Sequence, residues 1–458
     1  MALNVSQVSS SPAASLALRS GTGGNVSFGV ASLDGRRVVR VEVGGENLGA
    51  LLPVDGENLA EAARMARRQS LPLVCHLSSS GADVAHGVAG IHGWGTAARE
   101  FVQCSGVVPL IFCVTGPAVS GPALLLGLAD LVIMVDDAYA FISGPNMVRQ
   151  YTGEDLTAER LGGASQHARI SGVAHFTAPD REAADELLAE LLTFLPDSLH
   201  DLPPRWPCSD PLDRLVPEVA ELIPDSPTGS YDVRHVIESL VDHGHYLEPR
   251  AAFATNLVTA FACLGGQSVG IVANQPQSVA GTLDIPASQK GGRFVAFCDA
   301  FNLPLVTLVD TSGFYPGKDL EWRGMIRYGA QMAFAYARAT VPRVCVTLRK
   351  SYGGAYIVMD SRYMGNDLML AWPTAEIAVM GAKGAVEILH RQADEDERVA
   401  LVAAYEERLL NPYIAAERGT VDRVIDPSET RKELTNALML LSGKRERLPR
   451  RRHDNTPL

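Results

Sequence analysis

The stretch Thr347-Leu-Arg-Lys-Ser-Tyr-Gly-Gly-Ala-Tyr-Ile-Val-Met359 combines three local signals that decide how this chain folds. A buried-strand run, Val344-Cys-Val-Thr-Leu348, leads to the glycine pair Gly353 and Gly354, and an apolar segment with helical character begins at Ala355. This order points backbone N–H groups into a cavity, because glycine lets another molecule approach and a helix N-terminus adds a positive dipole. Such a turn can hold an anionic oxygen without a charged side chain. The alternative is a tight strand-to-helix turn that simply needs small residues.

The same pattern occurs earlier in the chain, 232 or 233 residues before its second copy. The matched pairs are Leu71-Pro-Leu-Val74 with Leu303-Pro-Leu-Val306, Ser78-Ser-Ser-Gly81 with Asp310-Thr-Ser-Gly313, Val108-Pro109 with Val341-Pro342, and Ser120-Gly121 with Gly353-Gly354. A near-constant offset over about 50 residues indicates a duplicated fold, since solenoid repeats have far shorter periods. We therefore expect two strand-turn-helix cavities of different quality.

Alternating strand and helix patterns predict an α/β fold with parallel sheets covered on both faces. A hairpin is expected from Val26 to Val43, with its turn at Asp34-Gly35. Helices are expected at about 56–68, around His86, His92 and Trp94, and at about 394–408. The predicted organisation is a flexible leader over residues 1–25, a first domain over 26–200, a linker rich in proline over 201–230, and a second domain over 231–458.

The composition excludes several classes of function. A net charge of −12 argues against a nucleic-acid binder, and no apolar run is long enough to predict a membrane span. The seven cysteines are scattered without a CxxC pair, which favours buried free thiols and a cytoplasmic location. His86 and His92 are six residues apart, so they do not form an i, i+4 metal pair, and we expect no metal.

The catalytic motifs that rely on side chains are also missing. There is no GxSxG elbow, no Walker loop and no GxGxxG pattern. Ser120 resembles a strained turn serine without an assignable base, Gly162-Gly163 is expected in a loop, and Asp310 could act either as a cap or in catalysis. Chemistry by backbone dipoles remains, which suits carboxylation, decarboxylation or isomerisation of an acyl thioester through an enolate.

At this point the motifs resemble the carboxyltransferase β-subunits of biotin-dependent acyl-CoA carboxylases of the propionyl-CoA carboxylase type. In the second half the matching motifs are Ile271-Val-Ala-Asn-Gln-Pro276, Phe294-Val-Ala-Phe-Cys-Asp-Ala-Phe-Asn-Leu-Pro304, Gly313-Phe-Tyr-Pro-Gly317, Arg349-Lys-Ser-Tyr-Gly-Gly-Ala-Tyr356, Ala371-Trp-Pro-Thr-Ala375, Ala378-Val-Met-Gly-Ala382, Leu410-Asn-Pro-Tyr413 and His453-Asp-Asn-Thr-Pro-Leu458. In the first half they are Phe141-Ile-Ser-Gly-Pro145, Thr152-Gly-Glu154, Leu161-Gly-Gly-Ala164 and Ser171-Gly-Val-Ala-His175.

The resemblance implies two tandem crotonase-like domains, usually assembled as a hexamer. It implies an acyl-CoA substrate, carboxybiotin delivered by a biotin carboxylase and carrier partner, and no metal. The thioester enolate would be held at Gly353 and Gly354, and the biotin ureido oxygen at Ser120 and Gly121. The residues expected along the substrate are Ala355, Tyr356, Ile357, Gly81, Ala82 and Gly381.

The departures from the family pattern cluster in the first half. The family turn Gly-Pro-Cys-Ala-Gly-Gly-Ala is here Gly116-Pro-Ala-Val-Ser-Gly-Pro122, in which Pro122 has no N–H. Asp83 stands where the family has arginine, and the apolar Ile357 favours a hydrophobic or varied acyl group. Three hypotheses arise: a carboxyltransferase subunit for a short or branched acyl-CoA, a biotin-independent decarboxylase of a malonyl-type thioester, or a non-catalytic partner of an intact paralogue.

Overall fold

The computed structural model describes residues 19–20, 24–224, 226, 228–444 and 446–457, without the side chains of residues 19, 20, 46 and 47. Nearly all of the predicted leader lies outside these residues. The chain divides into two compact units. The first contains the described residues up to His167 together with Val173–Leu192, and the second contains Ala168–Gly172 and the described residues from Thr193 onwards. The predicted domain limits stay a prediction.

The first unit is built on an eight-stranded sheet. Its strands are β1 (Arg19–Ser20), β2 (Val26–Leu33), β3 (Arg36–Val43), β4 (Leu73–Ser79), β5 (Leu110–Val119), β6 (Leu131–Val135), β7 (Tyr139–Phe141) and β8 (Phe176–Ala178). Its helices are α1 (Glu46–Gly49), α2 (Pro53–Gln69), α3 (Val88–Val102), α4 (Gly121–Leu126), α5 (Pro145–Thr152), α6 (Ala158–Gly162), α7 (Ala164–Gln166) and α8 (Arg181–Phe194), of which α8 extends just past the unit limit.

The second unit repeats this plan. Its strands are β9 (Tyr246–Leu247), β10 (Leu257–Leu264), β11 (Gln267–Asn274), β12 (Leu305–Thr311), β13 (Arg343–Tyr352), β14 (Leu368–Ala371), β15 (Glu376–Ala378) and β16 (Arg423–Val424). Its helices are α9 (Glu218–Leu222), α10 (Val233–Leu240), α11 (Ile285–Ala300), α12 (Lys318–Trp322), α13 (Met325–Arg338), α14 (Gly353–Val358), α15 (Ala382–Leu389), α16 (Glu395–Tyr405), α17 (Pro412–Glu417) and α18 (Thr430–Leu441).

The two sheets have the same topology, which confirms the predicted duplication. The strand order is β1-β2-β3-β4-β5-β6-β8 in one sheet and β9-β10-β11-β12-β13-β14-β16 in the other, and the remaining strands, β7 and β15, pair with β5 and β13. In each sheet an antiparallel hairpin is followed by parallel strands, whose crossover helices cover the sheet. The fold is therefore α/β with two tandem crotonase-like domains, as expected.

The predicted hairpin at the start of the first unit is confirmed. Strands β2 and β3 pair antiparallel from Val26↔Val43 to Leu33↔Arg36. The two turn residues, Asp34 and Gly35, have φ values of 44° and 80°. Positive φ at both positions matches the right-handed twist of a two-residue hairpin, and Asp-Gly tolerates it.

Several local predictions need correction. His86 lies in a short 3₁₀ turn, and α3 begins only at Val88 after Gly87, whose φ is 54°. Gly162 ends a short helix instead of lying in a loop, because Thr157 caps α6 by accepting from the Arg160 N–H. The charged helix α16 stops at Tyr405 and continues as a π-turn to Leu410.

The segment rich in proline before α10 belongs to the second unit and packs into its core. Its valines Val216 and Val219 are fully buried in the same core as strands β10 to β13 and helix α18. Arg431 of α18 reinforces this contact, since its guanidinium donates to the Pro211 and Leu240 carbonyls and to Asp242. Among the helices of the described ranges, none has the length and apolar character needed to cross a membrane.

Candidate active site

The turn at Gly353-Gly354 joins the end of β13 directly to the N-terminus of α14. Gly353 has φ +60°, and a Cβ built there would lie 3.1 Å from the Val379 carbonyl oxygen. A Cβ on Gly354 would lie 3.2 Å from the ring of Phe314. The first N–H groups of a helix have no partner within the helix, so this turn can present them to an anionic oxygen.

A loop on the neighbouring strand forms the opposite wall of this turn. It comes after β12, and its Gly313 carbonyl accepts from the Leu283 N–H at 3.1 Å, while the Tyr315 N–H donates to the Leu283 carbonyl at 2.9 Å. Phe314 thereby reaches Gly354. Sequence reasoning missed the role of Gly313 and Phe314 as a wall, although the internal repeat aligns Gly313 with the predicted Gly81.

The second unit gathers the other predicted residues of this half around α14. Ala355 and Tyr356 are buried, whereas Ile357 is 37% exposed. Gly381 precedes α15, and a Cβ there would lie 3.4 Å from the ring of Tyr352. Tyr352 immediately precedes the turn and donates its phenol to Glu376. Burial raises the pKa of Tyr352, so its hydroxyl stays protonated at neutral pH.

The corresponding turn in the first unit also joins the end of a strand to the N-terminus of a helix. Ser120 has φ 62° and ψ −120° between β5 and α4, so it matches Gly353 in φ. Its N–H donates to the Phe141 carbonyl at 2.9 Å. Pro122 has no N–H, so Gly121 supplies the helix-start donor at this turn. A Cβ on Gly121 would lie 2.9 Å from the indole ring of Trp94.

Gly81 and Ala82 lie beside this turn. Gly81 has φ +110°, and a Cβ there would lie 3.3 Å from the Val119 carbonyl oxygen and 3.9 Å from the Ser120 Cβ. The Gly81 carbonyl accepts from the Leu51 N–H at 2.8 Å, and Ala82 forms an isolated parallel β-bridge with Leu51. The same arrangement holds Gly313 and Phe314 through Leu283, so each unit builds one turn against one loop.

Within the described ranges, no three His, Cys, Asp or Glu side chains come together as a possible metal site. All seven cysteines are unpaired. Burial raises the pKa of most of these thiols, to about 11 for Cys104 and Cys263, so they are poor nucleophiles near neutral pH.

A family model described as "Carboxyl transferase domain" matches residues 8–456. This chain belongs to that family. The carboxyltransferase is 44% identical to the propionyl-CoA carboxylase beta chain of Saccharopolyspora erythraea, over 95% of this chain and 84% of the relative. It is 42% identical to the methylmalonyl-CoA decarboxylase subunit alpha of Propionigenium modestum, over 90% of this chain and 81% of the relative.

The fold of the carboxyltransferase is also that of a solved relative. The transcarboxylase 12S structure, described as a hexamer with hydrolysed methylmalonyl-coenzyme A bound, matches with a TM-score of 0.92 and 41% identity. The match covers 95% of this chain and 85% of the relative. These comparisons confirm the resemblance to the carboxyltransferase subunits of acyl-CoA carboxylases, and the protein is an enzyme of the carboxyltransferase class.

Proposed function

We propose that this chain transfers CO₂ to the α-carbon of a short or branched acyl-CoA through a thioester enolate. The observation that carries the proposal is the Gly353-Gly354 turn, which places a helix start opposite the Gly313-Phe314 loop. The relatives named as propionyl-CoA and methylmalonyl-CoA enzymes support an acyl-CoA substrate. Removing the α-proton places negative charge on the thioester oxygen, and preorganised N–H donors stabilise that charge at the moment it forms.

Residues of the second unit would have separate roles in this reaction. The N–H groups of Gly353 and Gly354 would hold the enolate oxygen, and the absence of a side chain on Gly354 leaves room for the thioester carbonyl beside Phe314. Ala355, Tyr356 and the partly exposed Ile357 would line the acyl group. Gly381 would keep the space beside Tyr352 open. No side-chain base is required if the carboxyl donor accepts the α-proton.

The carboxyl donor proposed from the family is carboxybiotin on a partner's carrier, which supplies CO₂ and a basic nitrogen when bound. The first unit fits its ureido oxygen only in part. The Ser120 N–H already donates to Phe141, and Pro122 has none, which leaves the Gly121 N–H. Gly81 and Ala82 would lie along the substrate on this side.

This partial fit favours a second candidate function, the biotin-independent decarboxylation of a malonyl-type thioester. That reaction needs the enolate site alone, because loss of CO₂ from the substrate generates the enolate directly. Its specific support is the altered Ser120-Gly121-Pro122 turn. A non-catalytic subunit that pairs with an intact paralogue is the third possibility, and it shares the same second unit.

One assay separates these candidates. The purified chain is incubated with malonyl-, methylmalonyl- and longer alkylmalonyl-CoA without biotin or ATP, and CO₂ release is measured. Turnover that occurs only when a carboxylated carrier is added supports the first function and excludes the second. Release of CO₂ without biotin supports the second function. Absence of both activities in the chain alone, with recovery on adding a paralogue, supports the third.

Gly354→Val tests the enolate site in whichever reaction is found. The new side chain would meet the Phe314 ring and occupy the space of the thioester oxygen, so we expect turnover to fall by at least about 100-fold. Gly443→Val is the control, because a Cβ at Gly443 meets open space after α18. A Gly354→Val enzyme with unchanged turnover would remove the enolate-site argument.

A further inference from the structure

We propose that Asp310 is a positioning residue, which sets the place of the Gly353-Gly354 turn through the backbone of β13 without touching the substrate. This inference rests on the proposed function, since it concerns the same enolate site. Both the Gly353-Gly354 turn and the Gly313-Phe314 loop would depend on the Asp310 side chain and its backbone.

The pairing of β12 with β13 is irregular. The two strands pair in register up to Val309↔Thr347 and resume at Thr311↔Ser351. Residues 348–350 of β13 therefore lie opposite the single residue Asp310. Such a bulge bends its strand and changes the direction of the residues beyond it. There, Lys350–Tyr352 pairs with β15 and leads directly to Gly353.

The Asp310 carboxylate holds this bulge in place. One oxygen accepts from the Lys350 backbone N–H at 3.1 Å, and the other accepts from Arg349 Nε at 3.0 Å. Asp310 is only 3% exposed and Arg349 only 8%. Arg349 is held further, because its Nη1 donates to the Gly229 carbonyl at 2.8 Å and its guanidinium lies over the Tyr231 ring.

Asp310 is also connected to the loop that forms the opposite wall of the site. The Asp310 N–H donates to Asn274 Oδ1 at 3.3 Å, which holds the end of β12 against β11. Three residues later the chain forms the Gly313-Phe314 loop that faces Gly354. Asp310 thus ties the strand that carries the loop to the strand that carries the turn.

The first unit shows how the same bulge forms without charge. Strands β4 and β5 pair at Leu77↔Val114 and resume at Ser79↔Ala118, so residues 115–117 lie opposite Ser78. Gly116 takes the place of Arg349, and a Cβ there would lie 2.5 Å from Ser78 Oγ. The bulge can therefore be closed by an Asp–Arg pair or by a Ser–Gly pair. Replacing the Asp–Arg pair of the second unit by a Ser–Gly pair removes the buried charges but should keep the bulge. This exchange therefore shows whether the position of the turn or the charge itself matters for activity.

The experiment compares Asp310→Asn with the double variant Asp310→Ser/Arg349→Gly, which copies the first unit. Asp310→Asn leaves Arg349 buried without its anion, so the bulge and the turn should shift. We expect kcat to fall by about 100-fold, because displacement of catalytic groups by about 1 Å has that effect, while KM changes by less than about 3-fold. The double variant should recover most of the lost kcat, because its bulge closes without charge.

A second readout does not depend on turnover. Amide hydrogen exchange of the peptide spanning residues 347–359 should be faster in Asp310→Asn and return to the wild-type rate in the double variant. If the wild type proves inactive, the proposed function fails, but this exchange pattern still supports the positioning role. Unchanged exchange in Asp310→Asn overturns the inference.

Asp242→Asn is the control for a general loss of stability. It removes the nearer of two carboxylates from a buried arginine, Arg431, which keeps Asp210 at 3.4 Å, and it changes the contact with the Gly265-Gly266 turn instead of the candidate site. Under conditions in which the Asp242→Asn variant is folded, its kcat should equal that of the wild type. An equal loss of kcat in Asp242→Asn, or a double variant as inactive as Asp310→Asn, would contradict the positioning role.

Discussion

Ser120 occupies a backbone conformation that glycine normally takes. Its φ of 62° and ψ of −120° place the Cβ close to the backbone, at a cost of roughly 1–3 kcal/mol. The matched residue of the second unit is Gly353, which adopts φ +60° without that cost. Two contacts keep Ser120 in this strained conformation. The Phe141 carbonyl accepts the Ser120 N–H, and helix α4 begins directly after Ser120.

Ser120→Gly should therefore stabilise the protein. The gain from relieved strain exceeds the loss of about 0.4–1 kcal/mol that glycine causes through the unfolded chain, so the net gain should be about 1 kcal/mol. Urea unfolding measures it. Ser442→Gly is the control, because Ser442 has φ −57° and should only lose stability. A Ser120→Gly protein less stable than wild type would show that the turn is not strained.

His76 makes the first unit sensitive to acid. It is 1% exposed on β4, with Nε2 2.6 Å from an Asp185 oxygen and Nδ1 3.4 Å from a Glu42 oxygen. Burial lowers the pKa of His76, although both carboxylates oppose that shift. The unfolded chain therefore binds this proton more readily than the folded one, and stability falls as pH drops through the ordinary pKa of 6.5.

His76→Gln should reduce this sensitivity. Between about pH 7 and about pH 5.5, the free energy of unfolding should fall less steeply in the variant, by at most about 1.4 kcal/mol per pH unit. Urea titrations across that pH range measure the two slopes. Equal slopes of unfolding free energy against pH in the wild type and the variant would mean that His76 does not cause the acid sensitivity. Above about pH 7 the slopes should coincide, because the neutral imidazole is present in both states.

At the scale of elements, helices α2 and α3 of the first unit cross at very short range. A Cβ on Gly56 of α2 would overlap the backbone of Gly93 in α3. The two helices meet there backbone to backbone, which only glycine permits. Gly95, on the same α3, faces open space.

Gly56→Ala and Gly95→Ala form a matched pair at these helices. Alanine gains up to about 1 kcal/mol over glycine in a helix, but overpacking at Gly56 should outweigh it by about 1–3 kcal/mol. We therefore expect Gly56→Ala to lower stability and Gly95→Ala to raise it. Thermal unfolding monitored by circular dichroism measures both. Equal effects of the two substitutions would contradict the close crossing.

The pattern of elements could be predicted well from sequence where the signal is local. The Asp34-Gly35 turn was expected as it occurs, because turn chemistry is a local property of the sequence. The bulges in β5 and β13 were not predicted. They depend on side chains of a neighbouring strand, such as Asp310, whose contacts only the folded sheet creates.

At the scale of the whole molecule, we expect the protein to form a hexamer. The transcarboxylase 12S relative is described as a hexamer assembly, and this chain covers 85% of it at 41% identity. Light scattering coupled to size-exclusion chromatography should give about six times the chain mass of 48.9 kDa. A monomer at micromolar concentration would contradict this expectation. Addition of a biotin carboxylase and carrier partner should then give a larger complex only if biotin is used.

The sequence by itself determined the α/β class, the duplication and the Gly353-Gly354 turn, because strand periodicity, glycine spacing and repeated motifs are written along the chain. Only the tertiary structure decided what those turns can do. The Phe314 wall, the capture of the Ser120 N–H by Phe141 and the Asp310 fastening of the bulge all join residues 20 to 40 positions apart. Hydrogen-bond partners of a turn depend on which strand lies beside it, and that is a property of the folded sheet.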